Sequence, residues 1–334
     1  MQPTFIIAGR FQREYILPVS GNPVLDAPGG DLLYAAGGVA VWKRNIGLLS
    51  RVAEDLPHTW LHDLEKRGFD TLGIHIRPET FDQRYFVAYN DFEHASENNP
   101  VSHFARRQMN FPKALLGYQP PPEKKPGRRQ PDPLAPTVAD IPKEYLDTRA
   151  VHICPMDANT QSQLAATFKG GSVTTITVDP APATMSPVRP RDLRILLQGI
   201  TAFLPSEGEL RAFFWGETHD LWEMMEGISA HGCEIIVVKR GAQGHLVYDA
   251  AGKHRWEIPA YNARRVDPTG AGSTFCGGFL AGYQETFDPL DAALRGAVSA
   301  SLKIEGSGPF YAMEMMPGLA EARYHSLRDA VRES

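Results

Sequence analysis

Val266-Asp267-Pro268-Thr269-Gly270-Ala271-Gly272-Ser273-Thr274-Phe275-Cys276-Gly277-Gly278-Phe279 is the most informative stretch of the chain. Small residues crowd a predicted helix start here. A glycine-rich turn at such a place lets backbone N–H groups converge, and the helix dipole adds partial positive charge. Such a turn can hold phosphate oxygens and stabilise the charge that builds up during phosphoryl transfer. Gly277, Gly278 and Gly282 let the same helix pack closely on a neighbour or a ligand. On spacing alone, the residues equally describe a tight turn N-capped by Ser273.

Outward from this turn, short apolar strands alternate with helical stretches, the pattern of a mainly parallel sheet covered by helices. Residues 5–8 read as the first strand, residues 173–178 as a β-branched run ending at Asp179-Pro180, and residues 234–238 as a buried strand ahead of Arg240-Gly241. Residues 60–67 form an amphipathic pattern stopped by Gly68, and residues 221–228 a second helical one. Residues 245–248 and 255–258 flank Ala250-Ala251-Gly252, a hairpin signal. Asp288 is placed to cap a helix with Pro289 at its first position and Leu290, Leu294, Ala297, Val298, Ser301 and Leu302 on its inner face. Two regions break the rhythm. Residues 74–92 alternate polar with apolar side chains and read as two half-buried strands of a small flap. Residues 118–136 carry seven prolines, marking an extended surface insertion whose Lys124, Lys125, Arg128 and Arg129 are offset by Glu123 and Asp132.

The 334 residues, 43% hydrophobic and 22% charged, suit a soluble globular protein with one large α/β domain or two smaller ones. A net charge of −5 provides no basic field for a nucleic-acid backbone. Cys154, Cys233 and Cys276 are isolated and odd in number, which suits a reducing compartment rather than a disulfide framework. No apolar run approaches ~18 residues, so no membrane span is expected. The opening residues lack the basic flank and long apolar stretch of a signal peptide, which points to a cytoplasmic protein. His58 and His62 lie four apart, but the residues between them lack the Glu of a zinc-protease motif, so exposed histidines are expected. His152-Ile153-Cys154-Pro155-Met156-Asp157 reads as a strand end running into a loop, with Asp157 near the substrate side. No G-x-G-x-x-G follows the first strand, which argues against a dinucleotide enzyme.

Asp267-Pro268-Thr269-Gly270-Ala271-Gly272-Ser273-Thr274-Phe275 resembles the late Asp-x-x-Gly-Ala-Gly-Asp-x-Phe signature of the PfkB (ribokinase-like) carbohydrate kinase family. Pro28-Gly29-Gly30-Asp31, followed by Ala35-Ala36-Gly37-Gly38-Val39-Ala40, is similar to that family's early di-glycine motif. Ser206-Glu207-Gly208-Glu209 is similar to its Asn-x-x-Glu, and Val237-Val238-Lys239-Arg240-Gly241-Ala242-Gln243-Gly244 to its nucleotide-side strand and turn. The motifs occur in the family's order over nearly the whole chain.

The resemblance implies an α/β fold: a single ribokinase-like domain over residues 1–334, with a Rossmann-type three-layer core and a small β-sheet lid built from about residues 10–20 and 74–92. It implies ATP and Mg2+ as cofactors and a sugar or nucleoside substrate with a primary hydroxyl acceptor. Gly270, Ala271, Gly272 and Ser273 would be catalytic. Ser206, Glu209, Lys239, Arg240, Gly241, Gly244, Asp267 and Thr269 would lie on the cofactor side, with Glu209 reaching magnesium through water and Asp267 facing a monovalent-cation site. Glu14, Gly29, Gly30, Asp31 and Tyr34 would contact substrate. The lid's exposed strand edge would pair two copies into a homodimer.

The sequence departs from the family pattern at functional positions. Ser273 stands where the family has the aspartate that accepts the substrate proton, and a serine hydroxyl is no proton sink at neutral pH. Ser206 replaces the Asn of Asn-x-x-Glu, and the Asn that follows the di-glycine in many members is replaced in the Leu33-Tyr34 region. Glu14 is longer than the usual Asp, and Asp31 adds negative charge beside the di-glycine. These changes imply impaired phosphoryl transfer, with a catalytically weak sugar- or nucleotide-binding protein as the alternative and a carboxylate from Glu305 or the insertion as a substitute base. Loss of a positioned general base costs about 10²–10⁴ in rate.

Overall fold

The computed structural model describes residues 2–120, 132–187 and 190–333. Among these, a ten-stranded sheet forms the centre of the molecule. From one edge it runs Arg332–Glu333, His254–Ile258, His245–Asp249, Ile235–Lys239, Ala202–Phe203, Thr175–Val178, Ala150–Ile153, Phe5–Ala8, Ile46–Ala53 and Phe69–Arg77. The seven strands from Ile235–Lys239 to Phe69–Arg77 are parallel, and the hairpin of His245–Asp249 with His254–Ile258 adds antiparallel strands.

Buried strands of this kind need apolar side chains on both faces. Ile6, Ala8, Ile236 and Val238 pack on one side, with the helices Ala158–Lys169, Pro190–Leu197 and Leu221–Ser229. Phe5 and Ile7, and Ile235 and Val237, pack on the other, against the helices Asp31–Ala40, Ala271–Thr286 and Pro289–Lys303. The result is the three-layer α/β core that the sequence leads one to expect.

A second sheet of four strands sits apart, in the order Val24–Gly29, Gln12–Leu17, Arg84–Tyr89, Ala95–Ser96. Its own apolar cluster gathers Tyr15, Leu17, Phe86, Phe104 and Tyr118. The flap expected over residues 74–92 is thus corrected in its first part. Ile74, Ile76 and Arg77 continue an edge strand of the central sheet, paired with Ser50, Val52 and Ala53, and only Arg84–Tyr89 joins the small sheet. Most of the proline-rich insertion, including Glu123, Lys124, Lys125, Arg128 and Arg129, lies outside the described residues. Its far end returns to the core, where Asp132 pairs with Arg10 at 3.2 Å.

The sheet reverses its winding between Phe5–Ala8 and Ala150–Ile153, which are neighbours in space but lie on either side of Ile46–Ala53 and Phe69–Arg77 in the chain. A reversal of this kind opens a crevice at the carboxyl ends of the strands. Gly9 and Cys154 sit there, and a Cβ on Gly9 would lie 2.8 Å from Cys154.

Above the crevice, the di-glycine helix (Asp31–Ala40) and the glycine-turn helix (Ala271–Thr286) meet backbone to backbone. A Cβ at Gly277 would fall on the carbonyl of Ala35, and one at Gly38 on the carbonyl of Thr274. Overpacking such a contact costs about 1–3 kcal/mol. Gly277→Ala is therefore expected to lower stability by at least that amount in denaturant melts, whereas Gly208→Ala, where a Cβ meets nothing within 4 Å, is not.

Candidate active site

The turn begins in a buried hydrogen-bond knot. The Asp267 carboxylate accepts from the Thr269 N–H at 2.9 Å, and Gly270 then takes a left-handed conformation (φ 71°) as the residue before the helix. Gly270 is doubly constrained, because a Cβ there would also run into the ring of Tyr34. Ala271 N–H is tied to the Pro268 carbonyl at 3.1 Å. The next N–H groups, at Gly272 and Ser273, open the helix and have no acceptor within it.

The N-cap is Gly270, so the expected Ser273 cap is corrected. Ser273 is the third helical residue, and its hydroxyl donates to Asp31 Oδ1 on the other helix at 3.0 Å.

Facing this helix start is Lys239, the last residue of its strand. Its ammonium lies 2.7 Å from Asp179 Oδ2 and 3.6 Å from the Cys276 sulfur, and a Cβ on Gly272 would be 3.7 Å from it. Burial works against its charge, but Asp179 outweighs this and holds the lysine protonated. Asp179 leaves its strand at the sheet edge where the Asp179-Pro180 pair led one to expect a strand exit.

Arg240 does not join this pair. Its guanidinium folds back to the Gln243 carbonyl at 3.2 Å across a turn in which Gly241 (φ 56°) and Gly244 (φ 81°) are left-handed. Ser206 and Glu209 form a capping box: Glu209 Oε2 accepts from the Ser206 N–H at 2.8 Å, and the Ser206 hydroxyl accepts from Glu209 N–H at 3.3 Å. Both of these side chains therefore serve the start of their own helix.

On the other side, Gly29 ends a strand of the small sheet and Gly30 (φ 89°) precedes the di-glycine helix. Glu14 lies buried beneath them, accepting from Gly30 N–H at 2.8 Å and from the Tyr34 hydroxyl at 2.9 Å. Both of its oxygens are thus occupied inside the protein. Burial pushes its carboxyl up to about 7, against the pull of Gly30, Tyr34 and Lys303. Tyr34 links the two halves of the site, with its hydroxyl on Glu14 and its ring under Gly270.

Three features were missed in the sequence. The Tyr89 hydroxyl, on the small sheet, is 3.2 Å from the Thr269 hydroxyl and ties that sheet to the turn. Lys303 is fully buried, donates to the Asp267 carbonyl at 2.8 Å and lies 3.5 Å from its carboxylate. The signal for it was present: Ala292, Gly296, Ser299 and Lys303 form one helical stripe, all of it buried. The third is the Asp31–Ser273 contact itself.

Other candidates resolve plainly. Asp157 caps its helix through Thr160, and Glu305 is taken up by Arg323 at 2.8 Å and Arg264 N–H at 3.2 Å. His58 and His62 are exposed, and all three cysteines are buried and unpaired. Among the described residues, no helix is long and apolar enough to cross a membrane.

Glu14 makes stability depend on pH. The folded state keeps its proton up to about pH 7, whereas the unfolded chain releases it near the ordinary value of 4.5. Its contribution is therefore complete below 4.5 and is lost as the pH rises through about 7. Glu14→Gln, which keeps an acceptor for Gly30, is expected to be increasingly more stable than the wild type across that interval, by about 3 kcal/mol at its upper end. Parallel urea melts of the two proteins that stay equally spaced at every pH would refute this.

Residues 141–315 match the pfkB family carbohydrate kinase model. A cytidine kinase of Thermococcus kodakarensis is 28% identical over 270 residues, which is 80% of this chain and 84% of that one. Two solved structures share the fold. A candidate ribokinase II from Escherichia coli in complex with ATP and Mg2+ has a TM-score of 0.70 at 20% identity, with 98% of this chain and 100% of that chain covered. A nucleoside kinase of Burkholderia thailandensis in complex with inosine has a TM-score of 0.68 at 16% identity, covering 97% and 98%. With more than half of its length matched, the glycine turn included, the chain belongs to the PfkB carbohydrate kinase family.

Proposed function

We propose that this protein transfers the γ-phosphoryl group of ATP to a hydroxyl of a nucleoside, with a sugar as the second substrate class. The observation that carries the reading is the start of the glycine-turn helix, whose free N–H groups face the ammonium of Lys239. Amides, helix dipole and a fixed cation converge where a transferring phosphoryl group needs charge stabilisation. The cytidine kinase aligned over 80% of the chain, at 28% identity, supports a nucleoside acceptor. A binding-only role is not favoured, since the relatives described above are kinases.

In this reading the turn Gly270–Ala271–Gly272 presents the free N–H groups of Gly272 and Ser273 to the phosphoryl oxygens, Lys239 steadies the nucleotide phosphates, and the Gly241–Gly244 turn supports the nucleotide. Gly29, Gly30 and Asp31 border the acceptor, while Glu14 and Tyr34 hold the di-glycine turn in shape. The small sheet acts as the lid, and its outer strand Val24–Gly29, with Leu25 exposed, is the edge for pairing with a second copy.

Magnesium fits as an ion carried in by the nucleotide. Among the described residues no three His, Cys, Asp or Glu side chains cluster as ligands, and Glu209, engaged with Ser206, would reach the ion through water. When bound, it would neutralise charge on the phosphates.

A monovalent cation fits less well. The charge of Asp267 is already met by Lys303, whose ammonium also lies 5.3 Å from the Tyr34 ring centre. We take Lys303 as an internal replacement for that ion.

Two outcomes follow. ADP release in the presence of Mg2+ and ATP is expected with cytidine or a related nucleoside, at higher kcat/KM than with ribose, fructose or 2-dehydro-3-deoxygluconate; no release with any acceptor would refute the kinase reading. Rates in sodium, potassium and tetramethylammonium buffers of equal ionic strength are expected to agree, and strong activation by potassium would overturn the role given to Lys303.

A further inference from the structure

We propose that Asp31 is the proton acceptor of the phosphoryl transfer, its carboxylate taking the part that Ser273 cannot. This rests on the kinase reading above and assigns its missing chemical group.

Geometry carries the assignment. Asp31 opens the di-glycine helix and Ser273 lies in the first turn of the glycine-turn helix. The Ser273 hydroxyl donates to Asp31 Oδ1 at 3.0 Å, so a carboxylate oxygen stands one hydrogen bond away from the residue 273 side chain. The glycine contacts between the two helices, Gly277 on Ala35 and Gly38 on Thr274, leave this spacing little room to change.

Asp31 sits in the first turn of its helix, where a carboxylate suits the dipole, but it caps no backbone N–H there. The di-glycine helix has no side-chain cap hydrogen bond, and among the described residues Ser273 is the one hydrogen-bond partner of the Asp31 side chain. The residue is half-buried at the crevice, not sealed in the core.

The neighbouring carboxylates have other partners, Asp267 Oδ2 through a 3.5 Å ion pair alone. Glu14 holds Gly30 and Tyr34, Asp179 holds Lys239, Glu209 holds Ser206, and Asp267 holds Thr269 and Lys303. The carboxylate has thus moved from one helix start to the facing one. Ser273 becomes a positioning residue that fixes Oδ1 and turns Oδ2 toward the acceptor.

In the step itself, the proton of the acceptor hydroxyl passes to Asp31 Oδ2 as the acceptor oxygen, not the carboxylate, bonds to the γ-phosphorus. The bond from phosphorus to the β,γ-bridging oxygen breaks, and its electron pair leaves on ADP. Asp31 returns the proton to solvent when the product departs.

Two variants test this in the full chain, with ATP, Mg2+ and the best nucleoside acceptor. Asp31→Asn, which can still accept from Ser273, is expected to lower kcat by about 10²–10⁴ while leaving KM for the nucleoside and the thermal shift produced by ATP unchanged. The exchange Asp31→Ser with Ser273→Asp returns a carboxylate to the glycine-turn helix and is expected to exceed Asp31→Ser alone by at least about tenfold in kcat.

A kcat for Asp31→Asn within about threefold of wild type, or a loss confined to KM, would overturn the assignment in favour of a binding role. An exchanged protein that shows the ATP thermal shift and is no faster than Asp31→Ser would overturn it as well. Failure of the kinase reading is seen separately, as a wild-type protein that turns over no acceptor.

Discussion

The structure depends on the approach of two helices without side chains between them. The starts of the di-glycine and glycine-turn helices converge over the crevice only because Gly38 and Gly277 let backbone meet backbone. With ordinary side chains at those positions the axes would separate by several ångströms, since packed helices normally lie about 8–10 Å apart. The di-glycine and glycine-turn motifs, far apart in the chain, would then no longer share one space. The reversal of winding in the central sheet sets the place of this convergence, and the glycines set its closeness.

Around it the charges are arranged economically. Lys303 is buried and Lys239 nearly so, and each is matched by one aspartate, Asp267 and Asp179 respectively. An unmatched buried charge would cost several kcal/mol, so neither lysine is a passive filler of the core. Lys239 faces the helix start, while Lys303 lies behind the turn and braces it through the Asp267 carbonyl. One cation is thus set toward the expected phosphates and the other supports the loop that would bind them.

Much of the architecture was legible in the sequence. The alternation of short apolar runs with helical patterns gave the layered sheet, and the Asp288-Pro289 start and the hairpin around Gly252 stand where spacing put them. Residues 74–77 misled because alternation reports a half-buried strand but not which sheet it joins, and an edge strand of the central sheet has the same pattern as a flap. At the site, the motifs located the glycine turn, Lys239 and Glu14, but their partners lay beyond local reading. Asp31 and Ser273 are separated by 242 positions, and Asp267 and Lys303 by 36. Such contacts follow from helix packing, which a single sequence does not print. Ser273 alone reads as a lost base; beside Asp31 it reads as half of a pair.

Tyr34 has a mechanical consequence. Its hydroxyl is held by Glu14, on a strand of the small sheet, while its ring forms the floor beneath Gly270, and Tyr89 of the same sheet touches Thr269. Any swing of the small sheet pulls on the loop below through two tyrosines at once. On the proposed reading, closure of that sheet over an acceptor would therefore draw on the glycine turn as well.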